Sequence, residues 1–225
     1  MKNLCLFDLD GTLTDPKIGI TKSVRYALGF FGVQVADLDE LRKFIGPPLR
    51  DSFRDFYNFS ASEAEEAIGR YREYFSDTGI FENTRYDGIV EMLVRLKSEN
   101  AMLAIATSKP TVYAERIAEH FGLRQYFELV VGSELDGTRS RKREVIKFVL
   151  DAMDSERKKS AVMIGDREHD IIGARETNID SIGVTWGYGS RAELERAGAT
   201  WIVDNPIDLY QTIIEKDAFY QSSTV

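Results

Sequence analysis

Residues 4–15 read LCLFDLDGTLTD, an apolar run that passes directly into acidic residues. The first four residues have the character of a buried β-strand, and the next eight hold three carboxylates, Asp8, Asp10 and Asp15. Like charges repel, and the end of a buried strand is a costly place for them unless something offsets their charge. The stretch therefore predicts a core strand that ends at a functional edge.

Short apolar runs recur along the chain, and amphipathic segments lie between them. For example, Ile89, Leu93 and Leu96 share one face of a predicted helix. Strands that alternate with helices predict βαβ units and an α/β fold with a parallel sheet. Ligands of such sheets bind beyond the carboxyl ends of the strands, where several of these runs meet polar residues. The predicted strands cover residues 3–7, 101–106, 128–131, 160–164, 180–185 and 200–203.

One long segment, from Asp15 to about residue 86, breaks this alternation because it reads as helical throughout. At its start, Asp15 is a candidate N-cap and Pro16 stands at the first helical position. We expect residues 15–86 to form an inserted all-helical cap over the active edge of the sheet. The core would then consist of residues 1–14 and 87–225.

The composition argues against several classes of protein. The net charge is −8, from 29 basic and 37 acidic residues, so nothing marks the chain as a nucleic-acid-binding protein. No apolar stretch approaches the roughly 18 residues of a membrane span, and the N-terminus lacks the features of a signal peptide. A single cysteine, Cys5, rules out an internal disulfide. We expect a cytoplasmic monomer or weak homodimer that acts on a small molecule, with no nucleic-acid or membrane partner.

Three further motifs accompany the acids of the first strand. Residues 106–109, ATSK, end the second apolar run with hydroxyl and backbone N–H groups that suit a phosphoryl oxygen. Lys142 opens a helix after a loop, where its ammonium can neutralise an anion. Residues 165–170, GDREHD, end the fourth run and place Asp166 and Asp170 four positions apart. Together the four motifs predict one crevice that holds acids, hydroxyl groups and a cation.

These four motifs, in this order, resemble those of the haloacid dehalogenase superfamily, and the helical insert resembles the C1-type cap of that superfamily. The resemblance covers nearly the whole chain. It implies a Rossmann-like parallel sheet and Mg²⁺-dependent phosphoryl transfer through an aspartyl-phosphate, with Asp8 as the nucleophile and Asp10 as the acid/base. Haloacid dehalogenases proper lack the second aspartate of the first motif, so the presence of Asp10 points to a phosphatase.

The resemblance also implies a metal site. A carboxylate is a competent phosphoryl acceptor when Mg²⁺ orients it and offsets its repulsion with the substrate. Asp8 and Asp166 would supply oxygen ligands, and Asp10 would add its backbone carbonyl. Asp170 would orient metal-bound water, although capping of the following helix is an equally simple role for it.

Four residues are candidates for binding the transferring phosphoryl group. Thr107 and Lys142 match the superfamily positions that hold the phosphoryl oxygens and offset their charge. Ser108 lies beside Thr107 and brings a second hydroxyl group. Lys109 could reach the phosphate as well, and a surface lysine near a turn is an equally good interpretation of it.

The substrate is less well defined, because the cap chooses it. The segments FIGPPL (44–49), ATSKP (106–110), GDREHDIIGA (165–174) and GYGS (187–190) together resemble the 5′-nucleotidase-like group, close to phosphoglycolate phosphatases. We therefore predict nucleoside 5′-monophosphates, with phosphoglycolate or another small phosphoester as the alternative. A β-phosphoglucomutase-like phosphotransferase shares all four motifs. Arg50 ends the apolar turn of the cap and is a candidate for recognising the leaving group.

A dinucleotide-binding module is a competing interpretation. Residues 187–192 approximate G-x-G-x-x-A, and Asp204 ends the next strand near the spacing of a ribose-binding acid. Only residues 205–225 follow Asp204, which are too few for the remaining βαβ units of such a fold. A glycine-rich loop at the edge of a phosphatase crevice is the better account. Two sets of cap residues carry weaker alternatives: Lys17, Lys22 and Lys43 as Schiff-base lysines, and Phe30, Phe31, Phe53 and Tyr57 as base-stacking or core aromatics.

Overall fold

The structure is a computed structural model that describes residues 4–222, so Asn3 of the first predicted strand lies outside the described residues. Strands and helices alternate along most of the chain. The strands are β1 (Leu4–Phe7), β2 (Thr14–Asp15), β3 (Thr84–Arg85), β4 (Met102–Pro110), β5 (Leu129–Ser133), β6 (Val162–Gly165), β7 (Asp180–Val184) and β8 (Trp201–Val203). The α-helices are α1 (Lys17–Gly29), α2 (Leu49–Tyr57), α3 (Ala61–Phe75), α4 (Ile89–Ser98), α5 (Thr111–His120), α6 (Lys142–Asp151), α7 (Ser155–Lys159), α8 (Glu168–Glu176), α9 (Arg191–Ala197) and α10 (Pro206–Ser222).

Six strands form one parallel sheet in the order β5-β4-β1-β6-β7-β8, flanked by helices. The predicted α/β fold with a Rossmann-like parallel sheet is therefore confirmed. β1 lies between β4 and β6, and its four residues are fully buried. The chain adds β4 and β5 on one side of β1 and then crosses to β6, so the strand order reverses beside β1. Such a switch point is where open α/β sheets bind their ligands.

The strand limits differ from the predicted ones mainly at β4. This strand continues to Pro110, beyond the predicted end at residue 106, with a register shift against β5 between Ala106 and Pro110. Pairing of Pro110 with Ser133 holds this extension against the sheet. The polar residues after residue 106 therefore lie along a strand rather than in a free loop.

The segment between β2 and β3 contains α1, α2, α3 and two 3-10 helices, Leu38–Phe44 and Gly79–Phe81. Its two ends pair as a short antiparallel ladder, in which Thr14 faces Arg85 and Asp15 faces Thr84. An all-helical interpretation of residues 15–86 missed this ladder, because a two-residue strand is too short to show a periodic pattern. The division into a core and a cap at residues 15–86 remains our proposal, with the ladder as its neck.

Local signals for the helix ends were correct in part. Ser60 and Glu63 have the S-x-x-E spacing that predicts a capping box, and they form one at the start of α3. The prediction of Asp15 as the N-cap was wrong, because α1 begins at Lys17 and Pro16 holds the N-cap position, although Oδ1 of Asp15 accepts the N–H of Lys17 at 3.0 Å. None of the helices within residues 4–222 is long and apolar enough to span a membrane.

Candidate active site

Asp8 and Asp10 lie directly after β1, and both side chains are buried. The N–H of Asp8 donates to the carbonyl of Ile164 in β6 at 2.8 Å. The turn that follows is closed by the N–H of Gly11, which donates to the carbonyl of Thr14 at 2.8 Å. Backbone hydrogen bonds therefore fix both carboxylates at the carboxyl edge of the sheet, as predicted from the sequence.

Lys142 is the first residue of α6, and its side chain is buried among acids. Nζ lies 2.8 Å from Oδ1 of Asp8 and 2.8 Å from Oδ1 of Asp170, and it donates to the carbonyl of Ala106 at 3.0 Å. Burial lowers the pKa of Lys142, but the carboxylates of Asp170 and Asp8 outweigh burial and raise this pKa above its ordinary value. The ammonium is therefore a fixed positive charge between two acids.

Asp166 follows β6 and is fully buried. Its Oδ2 accepts the N–H of Tyr188 at 2.7 Å, and its Oδ1 accepts the hydroxyl of Thr12 at 3.3 Å. A β-carbon at Gly187 would overlap the carboxylate of Asp166, so only glycine permits this close approach. The glycine-rich segment at residues 187–190, which resembles part of a dinucleotide-binding motif, here packs around an acid of the crevice.

Asp170 uses its two oxygens in different ways. Oδ2 accepts the N–H of Arg167 at 3.1 Å and so caps the start of α8. Oδ1 faces Nζ of Lys142. Gly165 leaves the space for this side chain, because a β-carbon there would overlap it. Asp170 therefore caps α8 and also belongs to the acidic cluster, two roles that the sequence left as alternatives.

The carboxylates of Asp8, Asp166 and Asp170 bring one oxygen each to within 4.8 Å of one another. Burial, and next the negative charges of Asp170 and Asp8, raise the pKa of Asp166 well above its ordinary value. Burial, opposed by Lys142, raises the pKa of Asp170 to about 6. The ammonium of Lys142 contacts Asp8 and Asp170 but not Asp166, so a further cation would relieve the repulsion among the three buried acids. Hard carboxylate oxygens at this spacing fit Mg²⁺, and these residues could hold it.

Thr107, Ser108 and Lys109 lie near the end of β4 beside the same edge. The hydroxyl of Thr107, which is buried, accepts the N–H of Lys109 at 3.3 Å. Nζ of Lys109 lies 2.7 Å from Oδ2 of Asp10 and 4.5 Å from the ring centroid of Phe75 on α3. Lys109 is buried rather than a surface lysine. Burial, opposed by Lys109, raises the pKa of Asp10.

A cavity of about 260 Å³ lies between this edge and the helical segment. Asp8 and Asp10 line it, together with Thr107, Ser108 and Lys109. Arg50 lines it from α2, with Nε 2.5 Å from Oε1 of Glu65, and about half of each of these two side chains is exposed. Its apolar wall includes Phe44, Leu49, Ile68, Tyr71, Phe75 and Tyr113.

One contact between the sheet edge and the helical segment escaped the sequence interpretation. Arg167, next to Asp166, donates from Nη1 to the carbonyl of Ile45 at 2.7 Å. Its Nε lies 2.8 Å from Oε1 of Glu193, which holds the guanidinium in place. In the GDREHD motif, only the acids were considered as site residues. No sequence pattern links Arg167 to Ile45, because the two residues lie more than 100 positions apart. Arg167 thereby ties the acidic cluster to the apolar turn at residues 44–49.

The aromatic residues of the cavity are not those singled out from the sequence. None of the four aromatic residues considered for base stacking lines the cavity. Phe53 is buried in the hydrophobic core, Phe31 and Tyr57 pack against that core, and Phe30 is exposed. The lysines considered for a Schiff base also lie elsewhere. Their partners are Asp39 for Lys17, Glu82 for Lys22 and the ring of Phe56 for Lys43.

Residues 5–184 match the model of a family described as haloacid dehalogenase-like hydrolases. The chain belongs to this family. The match spans nearly all of β1 through β7 and all four motifs, so the predicted superfamily is confirmed. Together with the similar proteins described next, it also confirms the assignment as a phosphatase.

The similar proteins include a 5′-nucleotidase of Pseudomonas aeruginosa, 48% identical over 189 residues that cover 84% of this chain and 85% of the relative. The tyrosine-protein kinase PtkA of Mycobacterium tuberculosis is 40% identical over 197 residues, 88% of this chain and 67% of the relative. At lower identity, 27% over 211 residues, a phosphoglycolate phosphatase of Colwellia psychrerythraea covers 90% of this chain and 93% of its own length. A crystal structure of a predicted phosphatase from Clostridium acetobutylicum has a TM-score of 0.91 and 51% identity, covering 95% of this chain and 98% of that one.

Proposed function

We propose that the protein is an Mg²⁺-dependent phosphomonoester hydrolase that acts through an aspartyl-phosphate on Asp8. One observation carries the proposal. Asp8 and Asp10 lie on the same strand end at the cavity, with Lys142 and the remaining acids packed directly behind Asp8. Burial and fixed backbone geometry preorganise these groups, which is what transfer of a phosphoryl group requires of a protein.

In the first step, an oxygen of Asp8 attacks phosphorus, and the bond from phosphorus to the leaving alcohol breaks. Asp10 gives its proton to the departing alkoxide. In the second step, Asp10 takes a proton from a water molecule, and the oxygen of that water attacks phosphorus. The bond from phosphorus to the Asp8 oxygen breaks, which releases phosphate and restores Asp8. Asp10 suits this role because Lys109 contacts only one of its oxygens, whereas Oδ1 has no hydrogen-bond partner among the described residues.

Four residues would hold the phosphoryl group. The Thr107 hydroxyl, the Ser108 hydroxyl and their backbone N–H groups line the cavity beside Asp8 and would bind phosphoryl oxygens. Lys142 and Lys109 are buried ammonium groups on either side and would offset the negative charge that the substrate brings. Each of these lysines is already paired with an acid, which fixes its position before substrate binds.

For the metal, Asp8, Asp166 and Asp170 would hold Mg²⁺ together with the backbone carbonyl of Asp10. When bound, Mg²⁺ offsets the repulsion between Asp8 and the phosphoryl oxygens. The chain's own contribution is to orient these acids. Lys142 contacts Asp8 and Asp170, and the Thr12 hydroxyl and the N–H of Tyr188 both donate to Asp166.

We propose nucleoside 5′-monophosphates as substrates, and Arg50 as a residue that reads the leaving group. The relative named 5′-nucleotidase, similar over most of both chains, supports this choice. Phosphoglycolate remains the alternative, supported by relatives of that name at lower identity. A phosphotransferase outcome is a further alternative, since a relative is named a tyrosine-protein kinase. The predicted cytoplasmic location and the monomer or weak homodimer stay predictions.

A panel of phosphomonoesters tests the proposal, with phosphate release measured with and without Mg²⁺. We expect Mg²⁺-dependent release, the highest kcat/KM for a nucleoside 5′-monophosphate, and no turnover by Asp8→Asn. A preference for phosphoglycolate over every nucleotide would overturn the substrate and leave the mechanism in place. Full activity of Asp8→Asn would overturn the mechanism itself.

A further inference from the structure

Tyr71 on α3 is a buried polar residue with no assigned role. It lines the cavity, only 4% of it is exposed, and its ring stacks on Phe75 with centroids 5.1 Å apart and planes at 21°. No hydrogen bond joins its hydroxyl to another described residue, and the hydroxyl oxygen is not one of the fully enclosed polar atoms that lack a partner, so it is open to the cavity that Tyr71 lines.

Neighbouring tyrosines do have partners. The hydroxyl of Tyr74, three residues later on α3, donates to Oε2 of Glu82 at 3.2 Å. The hydroxyl of Tyr113, on the same cavity wall, lies 2.8 Å from Oγ of Ser76. Tyr71 is therefore the tyrosine of this group whose hydroxyl is left for a molecule in the cavity.

Ring contacts place Tyr71 close to the reacting end of the cavity. Nζ of Lys109 lies over the ring of Phe75 at 4.5 Å and contacts Oδ2 of Asp10 at 2.7 Å. The ring of Tyr71 in turn stacks on the ring of Phe75. Burial, and next the negative charge of Asp10, raise the pKa of Tyr71 well above its ordinary value. The phenol therefore stays neutral and can both donate and accept a hydrogen bond.

We propose that Tyr71 determines specificity by hydrogen-bonding a sugar hydroxyl of the leaving group. The inference rests on the proposed phosphatase function. A residue one ring away from the acid/base meets the part of the substrate next to the phosphoester, which is the ribose in a nucleoside 5′-monophosphate. The neutral phenol can both donate and accept, which matches a sugar hydroxyl, whereas the ionised carboxylate of a small phosphorylated acid can only accept.

The test combines the isosteric variant Tyr71→Phe with substrates that lack the partner group. We would measure kcat/KM of the wild type and of the variant on the best ribonucleoside 5′-monophosphate and on its 2′,3′-dideoxy counterpart. One neutral hydrogen bond is worth about 1 kcal/mol, so the variant is expected to lose about fivefold on the ribonucleotide and less than about twofold on the dideoxy substrate. Tyr74→Phe is the matched control, and we expect the same small change on both substrates.

Equal losses on the two substrates, or none on either, would overturn the inference while leaving the phosphatase reaction intact. A larger loss on phosphoglycolate than on the ribonucleotide would overturn it as well, by assigning the hydroxyl to a carboxylate. A wild type that hydrolyses other phosphomonoesters but no nucleotide defeats the substrate proposal and this inference together. A wild type that hydrolyses no phosphomonoester defeats the proposed function first.

Discussion

The two walls of the cavity are built in different ways. On the sheet side, Asp8 and Thr107 are buried, and Asp8 is held by the hydrogen bond of its N–H to Ile164 and by its contact with Lys142. On the helical side, Arg50 meets Glu65 through two flexible side chains of which 48% and 52% are exposed. The first wall is fixed before any ligand arrives, whereas the second can change its side-chain arrangement at little cost. We therefore propose that the first wall carries the reaction chemistry and the second the choice of leaving group.

Removal of one buried charge tests the fixed wall most severely. Lys142→Met leaves the acids around it without their ammonium, so we expect the free energy of unfolding to fall by about 3–5 kcal/mol and phosphatase activity to be lost. Lys147→Met on the same helix is the matched control. Its ammonium pairs with Asp151 at 2.9 Å, but the side chain is 70% exposed, so a change below about 0.5 kcal/mol is expected. Urea denaturation of the three proteins measures both values.

Similar stabilities of the two lysine variants would show that the acids release their charge by taking up protons when Lys142 is removed. The contrast between a fixed and an adjustable wall would then rest on geometry alone. Repeating the denaturation with Mg²⁺ separates these cases, since a cation held by the acids should return part of the lost stability to Lys142→Met.

The second prediction separates proton transfer from phosphoryl transfer. Asp10→Asn keeps the size of the side chain and removes its acid/base function, so kcat is expected to fall by about 10²–10⁴-fold on an alkyl phosphomonoester. A p-nitrophenyl leaving group needs little protonation, so the loss in the first step should be much smaller there. A burst of p-nitrophenol followed by slow turnover would identify hydrolysis of the intermediate as the impaired step. An equal loss in both steps would contradict the assigned role.

The sequence predicted the sheet side of the cavity better than the helical side. The acids of the sheet edge lie at the ends of apolar runs, and parallel pairing must bring those ends together, so the pattern predicted that Asp8, Asp10 and Asp166 lie at one edge, whereas their roles came from the family resemblance. The wall formed by α3 was not, because an amphipathic face shows that Tyr71 and Phe75 are buried but not what they face. The β2–β3 ladder and the Arg167 contact with Ile45 depend on pairings distant in sequence that leave no periodic signal.

A third prediction compares the space around two glycines. A β-carbon at Gly187 would overlap the carboxylate of Asp166, whereas one at Gly69, on the exposed side of α3, meets nothing within 4 Å. Gly187→Ala should displace Asp166 and raise the Mg²⁺ concentration for half-maximal activity by about 10–100-fold. Gly69→Ala should leave that concentration unchanged and stabilise the fold by about 0.5–1 kcal/mol, since alanine favours the helix. An unchanged Mg²⁺ requirement in Gly187→Ala would remove the glycine-rich loop from the support of the metal site.

The smallest effects are expected on the adjustable wall. Arg50→Ala breaks an exposed ion pair, so the free energy of unfolding should change by less than about 1 kcal/mol. Because Arg50 lines the cavity, kcat/KM for the preferred nucleotide should fall by up to about tenfold, whereas p-nitrophenyl phosphate should be hydrolysed within about twofold of the wild-type rate. Glu65→Gln frees the guanidinium and is expected to change the ranking of substrates rather than the rate on all of them. A uniform loss on every substrate would place Arg50 with the reaction machinery and erase the distinction between the two walls.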